Sequence, residues 1–214
     1  MSRTAGTRNA DYEAHRQELA AAVARRMVAP GGAAASFREL AAAAGVSAPT
    51  LRHYFGDRTG VMGAALAELR RQGAMWIAYT ADPGEGDART SLESFFASFL
   101  LGWRQFGVGT IQAAALSAGL TEAAVGPAYL TEILEPVLQA LEQRIEALAA
   151  RGEIVPGDLR VAALELLAPV FLALLHQDAL SGTRCRPLDM DSFVRAHLDH
   201  TLRAWAPERR YPGA

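Results

Sequence analysis

The stretch SFRELAAAAGVSAPTLRHYFGDR, from Ser36 to Arg58, contains a strong signal for the start of a helix. Glu39 follows three residues after Ser36, which is the pattern of a capping box. In a capping box each of the two side chains binds the free backbone N–H of the other residue, so fewer donors of the first turn stay unpaired. We therefore expect a helix over residues 37–44.

The same stretch predicts a tight turn and a second short helix. Gly45 can adopt the left-handed backbone that commonly ends a helix. Ser47 can cap the next helix, and Pro49 fits its first turn because the N–H that proline lacks would be unpaired there. The second helix should run over residues 48–55.

The apolar residues around this turn have the spacing of a helix-turn-helix. With Phe37 as position 1 of a twenty-residue unit, small or apolar residues occupy positions 4, 5, 8, 10, 15 and 18, namely Leu40, Ala41, Ala44, Val46, Leu51 and Tyr54. Side chains at these positions pack the two helices against each other at a steep angle. The other face of the second helix is then free to enter a DNA major groove, which is about 12 Å wide.

The rest of the chain shows helical periodicity, with Gly and Pro residues between the segments. Outside the helix-turn-helix, the expected helices cover residues 11–28, 58–80, 91–105, 110–118, 122–151, 158–181 and 189–205. We therefore predict an all-α fold, with an N-terminal three-helix DNA-binding domain over 1–57 and a C-terminal bundle of about six helices over 58–214.

Charge is distributed unevenly along the chain, although the net charge is only −2. Residues 1–71 hold ten Arg and six acidic residues, whereas residues 72–214 hold eleven Arg and seventeen acidic residues. A basic N-terminal part favours contact with a polyanion, and the acidic remainder points to a different task.

The composition favours a cytoplasmic protein. Cys185 is the one cysteine of the sequence, so an internal disulfide cannot form. Charged residues interrupt the first thirty residues, where a signal peptide would need an apolar core. The longest apolar run, Leu166–Leu175, is too short to span a bilayer, so we expect no membrane partner.

The stretch from Ser36 to Arg58 resembles the TetR family of transcriptional regulators, and the chain length and the long helical remainder agree with that family. The resemblance implies a homodimer that binds a palindromic double-stranded DNA operator. It also implies a C-terminal domain that binds a small-molecule effector of unknown identity, which changes operator affinity.

The resemblance also implies which residues contact DNA. Thr50 matches a small hydroxyl residue near the start of the recognition helix, Tyr54 a residue that contacts the backbone, and Arg58 a cation at the start of helix four. Arg52 stands where the family usually has Tyr, and an arginine there can bind a guanine edge or a phosphate. The full predicted set of DNA-binding residues is Ser36, Arg38, Ala48, Pro49, Thr50, Arg52, His53, Tyr54 and Arg58.

Candidate ligand-binding residues are aromatic or polar side chains at helical spacing in the C-terminal part, most of which we expect to be core. The predicted ligand-binding set is Trp76, Trp103, Phe106 and His176. The last two helices of the family usually pair across a two-fold axis. For the dimer interface we therefore predict an apolar set of Leu166, Val170, Leu174, Phe193 and His197.

Catalysis finds no support in the sequence. Ser47, His53 and Asp57 could form a catalytic set only if they converged, yet capping explains Ser47 and His53 should face outward. His197 and His200 share a helical face and could bind a metal, but a third ligand is not evident. We expect no enzyme activity, no metal and no cofactor.

The sequence therefore predicts a dimeric DNA-binding regulator that a small molecule releases from its operator, and the family resemblance implies that this regulator is a repressor. One alternative stays open. The C-terminal domain could serve only as a dimerisation or protein-partner module without a ligand, and a closed bundle without a pocket would favour that alternative.

Overall fold

The structure, a computed structural model, describes residues 5–207, and every regular element in that range is helical. The helices are α1 (Ala5–Val28), α2 (Phe37–Ala43), α3 (Ala48–Phe55), α4 (Arg58–Gln72), α5 (Ala74–Ala81), α6 (Ala88–Gln105), α7 (Val108–Thr121), α8 (Gly126–Tyr129), α9 (Glu135–Ala150), α10 (Leu159–Leu174) and α11 (Met190–Ala204). Single π-helical turns cover Leu130–Leu134 and Leu175–Ala179. The predicted all-α class is confirmed.

The caps of the helix-turn-helix form as the sequence predicts. The Ser36 backbone N–H donates to the Glu39 carboxylate at 2.7 Å, and the Glu39 N–H donates to the Ser36 hydroxyl at 3.3 Å. Gly45 has a φ of 71°, in the left-handed region that favours glycine. The Thr50 N–H donates to the Ser47 hydroxyl at 3.2 Å, which caps α3.

The described chain forms two compact units. Unit 1 contains the residues up to 74 together with 110–134, and unit 2 contains 75–109 together with the residues from 135 onward. The predicted division into 1–57 and 58–214 is a functional one and stays a prediction. The compact units divide the chain elsewhere, because α4 packs extensively against α1 within unit 1.

Unit 1 has one apolar core. Fully buried side chains of α1 and α4 meet those of the helix-turn-helix there, and they include Val23, Met27, Leu40, Leu51, Met62 and Leu66. Tyr129, from α8, also lies in this core. Its hydroxyl donates to Oε1 of Gln112 on α7 at 3.0 Å, and burial raises the pKa of Tyr129 to about 12.

Unit 2 consists of α5, α6 and α9–α11. Aromatic residues of α6 and aliphatic residues of the later helices are buried here, and the core includes Phe95, Phe96, Leu141, Ile145, Leu166 and Leu198. Arg144 of α9 lies in this core with only 2% of its surface exposed.

Two predicted helices are interrupted. The helix expected over 58–80 ends at Gln72, where Gly73 caps it, and α5 begins at Ala74. The helix expected over 122–151 is divided into α8, a π-helical turn and α9. Pro136 follows that turn and cannot donate a backbone hydrogen bond, which accounts for the irregular ladder before it.

Candidate nucleic-acid interface

The recognition helix α3 is held by its inner face. Leu51 and Phe55 lie in the core of unit 1, one turn apart on the same side of the helix. Pro49, Arg52 and His53 lie on other sides of α3 and are exposed. A helix anchored in this way presents its polar side chains to a large partner without moving its backbone.

The predicted DNA-binding residues divide into two groups by exposure. The exposed residues are Ser36, Arg38, Pro49, Arg52 and His53, and the half-buried residues are Ala48, Thr50, Tyr54 and Arg58. All nine lie in α2, α3, their caps or the first residue of α4. Their contact with DNA stays a prediction.

Thr50 and Arg52 are held by neighbours in the motif. The hydroxyl of Thr50 lies 2.8 Å from the hydroxyl of Ser47, so the cap residue fixes its rotamer. The guanidinium carbon of Arg52 lies 5.4 Å from the centre of the Phe37 ring on α2, in a cation–π contact. Arg52 therefore lies over α2 while its side chain stays exposed.

Arg58 differs from the other predicted residues because protein groups occupy its guanidinium. Its Nη2 lies 2.8 Å from Oε1 of Glu122, and its Nε donates to both oxygens of that carboxylate at 3.0 Å. Its Nη1 donates to the carbonyl of Ala35, directly before the cap of α2. The resemblance to the TetR family implied a DNA contact for Arg58, whereas this geometry indicates a positioning role.

Two residues of α1 that contact α3 were not predicted from the sequence. The Tyr12 ring stacks on the Tyr54 ring with 4.8 Å between the centres and meets the edge of His53 at 6.2 Å. His15 meets Tyr54 at 5.4 Å. Their spacing of three residues on a helix was the available signal, since it places both on one face.

The four predicted ligand-binding residues are in different surroundings. Trp103 is buried between the Phe99 and Phe171 rings, at 6.0 and 5.7 Å. Gly109 lies so close that an added Cβ would be 2.6 Å from Nε1 of Trp103. The indole is therefore closely packed and part of the core of unit 2.

The other three predicted residues are less buried than Trp103. Phe106 is the C-cap of α6 and is 71% exposed, and its contact with a ligand stays a prediction. Trp76 is half-buried against Gly102, while His176 is exposed and pairs with the Gln177 amide at 2.7 Å. Contact of Trp76 and His176 with a ligand stays a prediction.

A groove of about 720 Å³ lies between α1 and α4 in unit 1, and none of the four predicted ligand-binding residues lines it. Its walls carry charged side chains, including Glu13, Arg16 and Arg71. Glu68 lies at its base and is buried. Its carboxylate accepts from Arg71 at 2.6 and 2.8 Å and from Gln72 at 2.7 Å, which lowers the pKa of Glu68 to about 2.

The predicted dimer interface needs correction on α10. Leu166, Val170 and Leu174 are fully buried in the core of unit 2 within one chain, so a partner cannot cover them. His197 on α11 is half-buried and hydrogen-bonds the carbonyl of Leu166 at 2.9 Å. Phe193 is half-buried beside His197 and stays a candidate.

The outward face of α10 also carries apolar side chains, and these are exposed. The predicted interface residues of α10 lie on its inward face instead. Val161, Leu164, Ala168 and Leu172 are exposed at intervals of three or four residues. Among the described residues, the segment Leu159–Ala179 is long and apolar enough to cross a membrane by length and composition alone. In the fold, its inner side belongs to the core of unit 2.

Comparisons with known proteins agree with this geometry. Residues 21–65, from α1 through α3 into α4, match the family model for bacterial regulatory proteins of the tetR family. No curated protein sequence matches the chain.

Solved structures with a similar fold cover most of the chain. A TetR-family transcriptional regulator from Mesorhizobium loti is 18% identical, with a TM-score of 0.70 over 90% of this chain and 95% of that one. A TetR-family regulator from Rhodococcus sp. is 21% identical, with a TM-score of 0.64 over 88% and 98%. SmeT, the repressor of the Stenotrophomonas maltophilia multidrug efflux pump SmeDEF, is 17% identical, with a TM-score of 0.60 over 93% and 94%.

At these identities the likeness shows the fold, while the family model covers the helix-turn-helix itself. The chain has the fold of a TetR-family DNA-binding regulator, and the predicted resemblance to that family of transcriptional regulators is confirmed.

Proposed function

We propose that the chain is a dimeric transcriptional regulator that binds a palindromic operator through α3. The observation that carries this proposal is the recognition helix itself, anchored by Leu51 and Phe55 and exposing Arg52 and His53 beside Arg38 of α2. In a dimer, the two recognition helices would enter successive major grooves about one helical turn apart. Arginine contacts to phosphates would make the affinity fall steeply with salt.

The outward face of α10 supports the dimer. Val161, Leu164 and Leu172 are large apolar side chains exposed in one chain, and apolar faces of this kind mark association surfaces. A two-fold axis would place the same face of α10 from two chains together.

We further propose repression with release by a small-molecule effector, in the cytoplasm. The fold likeness to SmeT, which is named as a repressor, supports repression by analogy. An effector would act by favouring a population in which the spacing of the two recognition helices does not fit the operator.

A specific observation favours the alternative without a ligand. Trp103, the buried aromatic residue among the predicted pocket residues, packs between two rings and against Gly109, as in a filled core. Under this alternative, unit 2 would serve for dimerisation or for binding a protein partner, and operator binding would not respond to metabolites.

Selection of bound duplexes from a random DNA pool tests the main proposal. We expect enrichment of a palindrome with half-sites about one helical turn apart. Repeating the binding with candidate metabolites separates the two regulatory alternatives, because only an effector site would make the affinity change. Recovery of unrelated duplexes without a shared motif would contradict sequence-specific regulation.

A further inference from the structure

The rings of Tyr12, His15, His53 and Tyr54 form one aromatic cluster that joins α1 to α3. Tyr54 lies at its centre, with 4.8 Å to Tyr12, 5.4 Å to His15 and 5.3 Å to His53 between ring centres. Tyr12 and Tyr54 are half-buried, while His15 and His53 are exposed. The cluster therefore has a packed side against the core of unit 1 and an open side.

The open side carries hydrogen-bond donors suited to phosphate oxygens. A tyrosine hydroxyl and an imidazole N–H can each donate, and such contacts to the DNA backbone fix the register of a protein on its duplex. A phosphate in contact with His53 or Tyr54 lies within reach of α1, because Tyr12 touches both of those rings.

One acidic residue competes for this surface. The carboxylate of Glu18 lies 3.3 Å from Nδ1 of His15, and both side chains are exposed on α1. In this arrangement Glu18 occupies a donor of His15 and places a negative charge beside it. A phosphate that approached His15 would have to overcome that repulsion.

We propose that Tyr12 and His15 extend the DNA-binding surface from α3 onto α1, as contacts to operator phosphates that flank the bases facing α3. This inference rests on the proposed function, since it assumes that α3 binds an operator. In this arrangement, Tyr12 donates from its hydroxyl while its ring holds Tyr54 in place. Glu18 limits the affinity.

Operators with single uncharged phosphates test the inference. Each phosphate of the selected operator is replaced in turn by a methylphosphonate, and affinities are measured by fluorescence anisotropy for the wild type, Tyr12→Phe and His15→Ala. We expect one or more flanking replacements to lower wild-type affinity about tenfold, in line with a hydrogen bond to a charged group. The same replacements should lower the operator affinity of the variant that lacks the contacting side-chain donor only a little, because the contact is already absent.

Glu18→Gln should raise the affinity for the operator, a result that a loss of folding cannot produce. We expect it to bind the operator about threefold more tightly, since one like charge near the backbone is removed. Tyr12→Phe keeps the stacked ring, and circular dichroism checks that each variant is folded.

Two results would overturn the inference. One is equal sensitivity of wild type and variants to every methylphosphonate, and the other is unchanged affinity in Glu18→Gln. A wild-type protein that selects no operator would instead contradict the proposed function, so the two failures are distinguishable.

Discussion

Arg58 and Glu122 form an ion pair that joins the start of α4 to the residue after α7. The same guanidinium donates to the carbonyl of Ala35, which immediately precedes the cap of α2. The Arg58 side chain thus links the start of α4 to the residue after α7 and to the residue before the cap of α2. The contact before α2 helps to position the helix-turn-helix. The pair is half-buried, so solvent weakens it less than a surface pair.

We expect Glu122→Gln and Arg58→Met each to lower the free energy of unfolding by about 1–3 kcal/mol, because a charged hydrogen-bonded group loses its partner. Both should also weaken binding to an operator and a scrambled duplex alike, since α2 loses a support. Urea denaturation and anisotropy titrations measure the two effects. A normal affinity in Glu122→Gln, with a salt slope about one lower in Arg58→Met, would instead assign Arg58 to a phosphate.

Arg52 should determine sequence preference. Its side chain is exposed on α3 and held over Phe37, so it can reach a guanine edge with little loss of conformational freedom. We expect Arg52→Ala to reduce discrimination between operator and scrambled duplex by about 1–3 kcal/mol. Arg38→Ala on α2 is the control and should weaken both duplexes similarly. An equal loss on both duplexes for Arg52→Ala would argue against base contact.

The helix-turn-helix was predictable because its signals are local. Ser36 with Glu39, Gly45 and Ser47 act within a few residues, and each adopts the predicted geometry. The helix end at Gly73 and the π-helical turn before Pro136 were missed because apolar periodicity continues through both positions. Their effect on the backbone became visible only in the fold.

Contacts between side chains that are far apart in the sequence could not be predicted from local patterns. The charge of Arg58 fitted a phosphate contact, but its partner Glu122 is sixty-four positions away. The apolar set of Leu166 and Val170 was recognised correctly as a stripe. Periodicity alone cannot say which of two apolar faces of α10 meets its own chain, and this limit placed the dimer interface on the buried face.

Glu68 should make stability depend on pH at the acidic end. Hydrogen bonds from Arg71 lower its pKa from 4.5 to about 2 in the folded protein. The stabilisation by this carboxylate is therefore fully present above about pH 4.5 and is lost as pH falls through about 2. We expect the stability difference between wild type and Glu68→Gln to shrink over that range, as measured by urea denaturation.

Arg144 should be the most sensitive charged residue of unit 2. Its guanidinium donates to the carbonyls of Tyr79, Thr80 and Ser91 at 2.7–2.9 Å, and burial lowers the pKa of Arg144. Arg144→Met would leave these buried acceptors without donors, at about 1–3 kcal/mol each. We expect a loss of at least about 3 kcal/mol in the free energy of unfolding.

Arg151→Met is the matched control for Arg144. Like Arg144, Arg151 donates to backbone carbonyls. Its acceptors are Gly84 and Gly86 in the loop between α5 and α6, and its side chain is exposed. Water can replace its hydrogen bonds, so the expected loss is about 0.5–1 kcal/mol. Similar losses in the two variants would show that burial does not explain the role of Arg144.

Leu172 should be required for the dimer. It is 67% exposed on the outward face of α10, so Leu172→Glu leaves the core of unit 2 intact while placing a charge in the proposed interface. We expect monomers in sedimentation velocity, with unchanged helical content. Leu120→Glu, at a residue 78% exposed on α7 in unit 1, should stay dimeric.

Operator binding should report the same change. A duplex with two half-sites binds a dimer through two recognition helices, so Leu172→Glu should lower the affinity for it strongly. A duplex with a single half-site engages one α3, so its weaker affinity should differ little between wild type and variant. A dimeric Leu172→Glu protein with full operator affinity would place the dimer interface away from this face of α10.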